Sequence, residues 1–192
     1  MNFDLAIVGG GPAGASAAIF AARAGLGTIV VDADKGFTRR ALLNNYLGFP
    51  AGLPGPSLVD SGRLQARQFG AEWLEATVAS AASAGDGFIL TLEDGSTVTA
   101  TRVLLATGRS VKLAEDLGVA TEQNSDGKAS HIVVDREGRT SVPNVWAAGY
   151  ATGLSMHAMV TAGDGARVGI NLISEVRGAP LRDHDVLPAP PA

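Results

Sequence analysis

Gly9, Gly11 and Gly14 stand in the run "VGGGPAG" at the spacing GxGxxG, and Asp32 closes the next apolar run, "TIVVD". These residue types at these distances suit the binding of a dinucleotide. Gly9 permits a tight turn, Gly11 lets a pyrophosphate approach the backbone, and Gly14 lets a helix lie close to a strand. A helix opened by Pro12 and Ala13 presents free N–H groups and its positive dipole end to phosphate oxygens. The Asp32 carboxylate can accept hydrogen bonds from the ribose hydroxyls of an adenosine. On its own the motif does not separate NAD from FAD. The opposite kind of chemistry is ruled out by composition: the chain has no cysteine, so disulfides, thiolate metal sites and an intrinsic redox dithiol are excluded, and no metal site is expected.

The motif works only if particular elements hold it. Residues 4–8 form a short apolar run without alternation, as expected of a strand buried on both faces in a parallel sheet. Residues 12–24 are small and helix-favouring, with Pro12 suited to the first helical position and Gly25 to the position just past the end. Residues 28–32 return as a second parallel strand where a right-handed crossover should bring it. From 37 to 56 the chain reads as loop, with "NNYLGFPAGLPGP", before a helix from about 57 to 70. "EATVAS", "GFILTL" and "STVTA" read as three short strands, the last two joined by the turn "EDGS", and suggest a small antiparallel sheet. "TRVLLATG" is a further buried strand, followed by a polar stretch over 109–130 with "QNSDGK" as a turn. "HIVVD" and "NVWAAG" are the last strands, and 157–176 is a helix that ends before Gly178 and Pro180. The tail "APLRDHDVLPAPPA" is Pro-rich and expected to be extended or disordered.

Residues 1–178 are therefore expected to form one α/β domain, with 179–192 as a tail and no internal repeat. A length of 192 residues with 46% hydrophobic content fits one buried core. The formal net charge of −4, from 15 Lys+Arg against 19 Asp+Glu, gives no basic surface for a phosphate backbone, so nucleic acid is not an expected partner. The first strand begins at once, leaving no room for a signal peptide, and glycine or a charged residue interrupts every apolar run. A soluble, cytoplasmic protein without membrane association is expected.

Further segments choose between the dinucleotides. "RVLLATG" and "VPNVWAAG" resemble the second and third signatures of the two-dinucleotide-binding flavoproteins, "NNYLGFPAGLPGP" resembles the "ENYPGFP" loop of thioredoxin reductases, and "HAMVTAGDGA" resembles the helix start that follows the third signature there. The resemblance covers residues 4–178. It implies a Rossmann-like, three-layer α/β fold with a parallel central sheet and a small antiparallel crossover sheet, and FAD as the cofactor. By the same resemblance, Asn45 contacts the cofactor from its loop, Thr107 and Gly108 pass close to it, and Gly149 and Tyr150 occupy the third signature. The backbone of His157 and Ala158 caps the pyrimidine edge of the flavin. Val78, in "EATVAS", completes the cofactor-binding set. A helix starting near His157 points its positive end at the flavin N1 and C2 carbonyl, where negative charge collects on reduction.

The chain departs from that family pattern in ways that bear on function. In thioredoxin reductases the NADPH domain with its dithiol lies between the second and third signatures; here only a polar stretch and one strand separate Gly108 from Val142, too little for a second GxGxxG unit. "AAGD" becomes "AAGY", placing the phenol of Tyr150 where the family has a carboxylate. The usual "RQA" reads "MHA", with Met156 and His157. His157 is the candidate catalytic residue, able to bond the flavin O2 or to titrate near neutral pH as a proton donor; the alternative is that only its backbone matters. His131 and His184 read as a strand and a tail residue, Arg39 and Arg40 as a solvated pair, with contact to a phosphate or an acidic substrate as the alternative, and Trp73 and Trp146 as packing residues. The functional expectation is an FAD-dependent oxidoreductase, homodimeric, whose electrons come from an external small molecule or protein: NAD(P)H, a ferredoxin-like protein or the substrate. The alternatives are a non-catalytic electron carrier or flavin sensor with a partner protein, and a cofactor-free scaffold.

Overall fold

The structure, a computed structural model, describes residues 2–124, 127 and 129–188. Strand β1 (Asn2–Phe3) leads into β2 (Leu5–Val8), whose four residues are all buried. Helix α1 (Pro12–Arg23) and strand β3 (Thr28–Asp32), which pairs in parallel with β2, complete a βαβ unit, as the apolar runs and the Pro12 start require. The expected loop contains a 3-10 turn, Phe37–Arg40, and a two-strand ribbon of β4 (Leu42–Leu43) and β5 (Leu53–Pro54). Helix α2 (Gly55–Gln68) begins slightly earlier than expected because Gly55 fits tightly under the 3-10 turn, where a Cβ would lie 1.7 Å from the Thr38 carbonyl oxygen.

The segment read as one strand, "EATVAS", is divided between two sheets. Strand β6 (Glu72–Glu75) joins β3 in parallel, and β7 (Val78–Ala84) belongs to the crossover sheet. Between them the Ala76 N–H donates to the Asp32 carbonyl at 3.1 Å, which carries the main ladder one step past β6 before the chain leaves it. Strand β8 (Gly87–Leu92) pairs with β7, and β9 (Thr97–Ala100) pairs with β8 through the expected turn, where Asp94 Oδ1 accepts from the Ser96 amide at 2.9 Å. The crossover sheet runs β1-β9-β8-β7 and gains one parallel edge, since β1 pairs with β9 in that sense.

Strand β10 (Val103–Leu105) re-enters the main sheet. The polar stretch that follows is not loop throughout: α3 (Lys112–Asp116) buries Leu113 and Ala114, and β11 (Thr121–Gln123) forms an antiparallel hairpin with β12 (Ser130–Ile132). Leu113, Ala114, Leu117 and Val119 are buried and Val111 is partly so, so charge on the other face hid an ordered segment. Ser125, Asp126 and Lys128 of the expected turn "QNSDGK" lie outside the described residues. Strand β13 (Val145–Ala147) and helix α4 (Ala158–Arg177) follow, and Gly178 ends α4 at φ +64, a left-handed position that favours glycine.

The main sheet is parallel throughout, in the order β13-β10-β2-β3-β6. Alternation divides its residues between two cores. Ala6, Val8, Ile29, Val31, Val103 and Leu105 face the crossover sheet and meet Phe88, Leu90 and Leu92. Leu5, Ile7, Val30, Leu104 and Trp146 face α1 and α4 and meet the alanines of α1, Val168 and Leu172. This is the three-layer arrangement expected. The two helices come close because their contact is built from small residues: a Cβ on Gly165 would lie 2.0 Å from the Ala13 carbonyl oxygen, and one on Gly169 would lie 3.1 Å from Ala17 Cα. Residues 179–188 form no helix or strand, yet Arg23 holds Asp183 and Asp185 at 2.7 Å each. Among the described residues no helix is long and apolar enough to cross a membrane.

Candidate functional site

Because β2, β3 and β10 run parallel, their carboxyl ends at Val8, Asp32 and Leu105 share one edge of the sheet, which is where open α/β sheets bind ligands. Gly9 leaves β2 at φ +100 and donates its N–H to the Val31 carbonyl at 2.9 Å; a Cβ there would lie 2.3 Å from the Ala106 oxygen. On Gly14 a Cβ would lie 1.8 Å from the Gly9 oxygen. Gly11 is different. Its φ is −66°, and a Cβ on it would meet nothing within 4 Å. Protein packs against Gly9 and Gly14 and leaves no room for a side chain, whereas the space in front of Gly11 is open to a ligand. The helix behind Gly11 has no side-chain cap and no acidic residue in its first turn, which leaves the amides at Ala13 and Gly14 suited to an anion.

Gly10, which the spacing rule passes over, is as tightly held as its neighbours. A Cβ on it would lie 2.2 Å from the Trp73 indole and 2.6 Å from Asp32 Oδ2. The Asp32 carboxylate thus lies against the glycine turn, where an adenosine ribose next to the phosphates would present its hydroxyls. Trp73, half-buried on β6, forms the floor beside it, with the Arg63 guanidinium 5.7 Å from its ring centre. The signal that was available in the sequence was the third consecutive glycine. Val78 sits where β7 begins and packs on the core between the sheets.

The turn after β13 is locked to the same cradle. Gly149 has φ +77, and a Cβ on it would lie 2.7 Å from Ala13 Cβ. Its N–H donates to Asp164 Oδ2 at 2.7 Å, and Oδ1 of the same buried carboxylate accepts from Arg167 Nη2 at 2.7 Å. Asp164 lies inside the quoted "TAGDGA" run, but no motif marks a buried acid on a helix face, and only the fold exposes its role.

Tyr150 follows, half-buried, at the start of the 3-10 turn Gly149–Thr152. It lines a cavity of about 440 Å³ together with Gly108, Arg109, Asn124, His131 and Gly153. Gly108 has φ +65, and the Thr107 hydroxyl donates to the Ser110 carbonyl at 2.6 Å, bending the chain at the end of β10. The histidine on this cavity is His131, with Nδ1 2.9 Å from Asn124 Oδ1. His157 is exposed at the N-terminal end of α4, with Nδ1 2.5 Å from Ser155 Oγ, and Ala158 behind it is buried. Asn45 is exposed in the loop between β4 and β5. Arg39 is not a solvated residue: it bonds Asp34 and Asp60 at 2.6 Å each. Burial alone would pull its pKa down, but the hydrogen bonds from its guanidinium to Asp60 and Asp34 outweigh that and hold it above the ordinary value.

FAD fits these residues. The cradle at Gly11 is open, bare helix amides face it, and the Asp32 carboxylate lies beside it, where it could accept from a ribose. Residues 63–166 match the pyridine nucleotide-disulphide oxidoreductase family, and residues 4–41 match an FAD binding domain. The chain is 37% identical over 112 residues to the bifunctional thioredoxin reductase/thioredoxin of Mycobacterium leprae (strain TN), which is 57% of this chain and 24% of that protein. It is 34% identical over 129 residues to the thioredoxin reductase of Streptomyces clavuligerus, 65% of this chain and 39% of that protein. The chain thus spans about two fifths or less of the length of these relatives. A thioredoxin reductase structure from Gloeobacter violaceus superposes with a TM-score of 0.82 at 18% identity, covering 97% of this chain and 99% of that one, and shows the shared fold. The open cradle, the acid at the end of β3 and these matches agree: the chain belongs to the pyridine nucleotide-disulphide oxidoreductase family, with FAD as its cofactor.

Proposed function

We propose that this chain works as an FAD-dependent oxidoreductase unit, similar to the flavin part of a thioredoxin reductase, whose electrons come from a donor outside the chain. The observation that supports this reading is what lies between the second and third signatures. From Gly108 to Val142 the described chain holds only α3 and the β11–β12 hairpin, the sequence there has no GxGxxG, and the whole chain has no cysteine. Between these two signatures there is neither a second dinucleotide unit nor a dithiol to pass electrons along the family route, which favours NAD(P)H, a ferredoxin-like protein or the substrate itself as a donor from outside this chain.

FAD, when bound, supplies the electron-transfer chemistry, and the protein supplies binding, orientation and electrostatics. The amides behind Gly11 hold the phosphates, and Asp32 accepts from the ribose. The Gly149 turn, fixed by Asp164, sets the position of Tyr150. The amino end of α4, at His157 and Ala158, offers N–H groups and a positive dipole to developing negative charge. His157 already shares Nδ1 with Ser155, so Nε2 is the ring nitrogen left to meet a ligand. Two copies are proposed to associate through exposed apolar side chains, among them Leu42, Leu47, Met156 and Val160. The proposed compartment is the cytoplasm, with no nucleic acid or membrane partner.

The test is the visible spectrum of the purified protein, followed by anaerobic titration with NADH, NADPH and dithionite. A yellow protein that NAD(P)H or a candidate substrate reduces, and that turns over in air, supports the enzyme. A flavin that dithionite bleaches but only a partner protein reduces in turnover points to an electron carrier instead. Protein that neither carries nor takes up FAD contradicts both.

A further inference from the structure

Gly10 is buried between two side chains from neighbouring strands. A Cβ on it would lie 2.2 Å from Trp73 Cζ2 and 2.6 Å from Asp32 Oδ2, so the edge of the indole and the carboxylate both rest on the middle of the glycine turn. The register explains why they meet there. Strands β3 and β6 run parallel with Val30 beside Trp73 and Asp32 beside Glu75, and alternation places all four side chains on one face of the sheet. On that face Val30 and Trp73 join the core against α1, and Asp32 stands two residues further along β3, at the carboxyl edge.

Trp73 is not enclosed as Trp146 is: Trp146 is 2% exposed, whereas Trp73 is half-buried. Its ring is braced by Arg63, whose guanidinium carbon stands 5.7 Å from the ring centre and whose Nη1 lies 3.6 Å from Glu75 Oε2. Such a cation–π stack fixes the plane of the indole. The carboxylate beside it is uncommitted: among the described residues the Asp32 side chain makes no hydrogen bond or ion pair. A free acceptor next to a rigid aromatic edge matches a furanose, which carries hydroxyls on one edge and C–H groups on the rest of its ring.

We propose that Trp73 is a second adenosine-binding residue: while Asp32 accepts from the ribose hydroxyls, the edge of the indole packs on the furanose and keeps water from the carboxylate. The proposal rests on the reading that the cradle behind Gly11 takes the ADP half of FAD. It also gives Gly10 a role of its own, since any side chain at that position displaces both the indole and the acid.

The experiment titrates flavin-free protein with ADP, which carries the ribose and both phosphates but no flavin, and follows tryptophan emission beside calorimetry. Only two tryptophans contribute, and Trp146 is enclosed in the core. A saturable change in emission is expected with ADP and none with inorganic pyrophosphate, which fills the phosphate cradle without a ribose. Trp73→Phe should still bind ADP and lose the emission change. Trp73→Ala should raise the dissociation constants of ADP and FAD about tenfold, the effect of one lost aromatic contact. Leu74→Ala, the next residue on β6 and on the opposite face, should change neither. The proposal is overturned if ADP binds by calorimetry without moving the emission, if pyrophosphate moves it as far, if Trp73→Phe keeps the change, or if Leu74→Ala weakens binding as much as Trp73→Ala. Should Trp73→Ala fail to fold, the emission of the parent and of Trp73→Phe decides the matter. Failure to bind either ADP or FAD contradicts the cofactor reading and the proposal with it, whereas ADP binding that leaves the emission unmoved removes the proposal alone.

Discussion

The Gly149 N–H donates a 2.7 Å hydrogen bond to Asp164 Oδ2, and through that bond a turn on the far strand of the sheet is fixed to the inside of α4. Gly149 in turn lies against Ala13 in the first turn of α1, so one buried carboxylate helps to hold the turn after β13 against the glycine turn that opens α1. Replacing Asp164 by Ala orphans a buried amide, which costs about 1–3 kcal/mol. We expect the Asp164→Ala protein to unfold at lower urea and to bind FAD more weakly, with Asp164→Asn closer to the parent because an acceptor oxygen remains. Unchanged urea midpoints and FAD affinity in Asp164→Ala would show that the bond positions nothing.

Two glycines of one motif should fail in different ways. Gly11 has open space and an ordinary φ, so Gly11→Val should fold with a normal melting profile and lose FAD uptake. A Cβ on Gly14 would lie 1.8 Å from the Gly9 oxygen, so Gly14→Ala forces α1 away from β2 and should destabilise the fold itself by about 1–3 kcal/mol. Thermal unfolding by circular dichroism, read beside bound-flavin content, separates the two. A Gly11→Val protein with full FAD content would place the phosphates elsewhere.

Much of this was legible in the sequence, and the parts that were not have identifiable causes. The strand, turn, helix and strand over residues 4–32 follow from apolar runs and Gly or Pro punctuation, which are local signals. The split of "EATVAS" between two sheets is a tertiary event with no local mark. Helix α3 was hidden because a short amphipathic turn shows the same charged residues as a loop. Within the site, glycine spacing identified the cradle, whereas Trp73, His131 and Asp164 acquire their places only when separate elements meet. His131, read as a plain strand residue, shares the cavity with Tyr150 because β12 packs beside the turn that follows β13.

Acid should weaken the turn that joins β12 to β13. Asp135 Oδ1 accepts from the Glu137 amide at 2.9 Å and the Arg139 amide at 2.8 Å. Burial pushes its carboxyl upward, but the Arg139 backbone bond, the Arg139 guanidinium and the Glu137 amide together hold it below the usual aspartate value. A carboxyl depressed in the folded state contributes stability that is fully present above its unfolded value, near pH 4, and lost as pH falls through the folded one. The Asp135→Asn protein should therefore be less stable than the parent at pH 7, with the gap closing below about pH 4. Urea midpoints from pH 7 to pH 3 test this; a gap that stays constant would remove the carboxylate from the explanation.

The proposed pairing of two copies predicts sedimentation as a dimer at micromolar concentration. Charge placed in the exposed apolar set, as in Leu47→Glu with Met156→Glu, should shift it to monomer. A parent protein that sediments as a monomer removes the proposal.

The central claim is that the cradle behind Gly11 receives the ADP half of FAD. Flavin-free protein titrated with FAD, with FMN in parallel, tests it most directly, read from the quenching of flavin fluorescence and the shift of the visible band. The account predicts saturable uptake of one FAD per chain and little or no uptake of FMN, because FMN lacks the ADP half that the turn and Asp32 recognise. No uptake of FAD, or equal uptake of FMN, would contradict it.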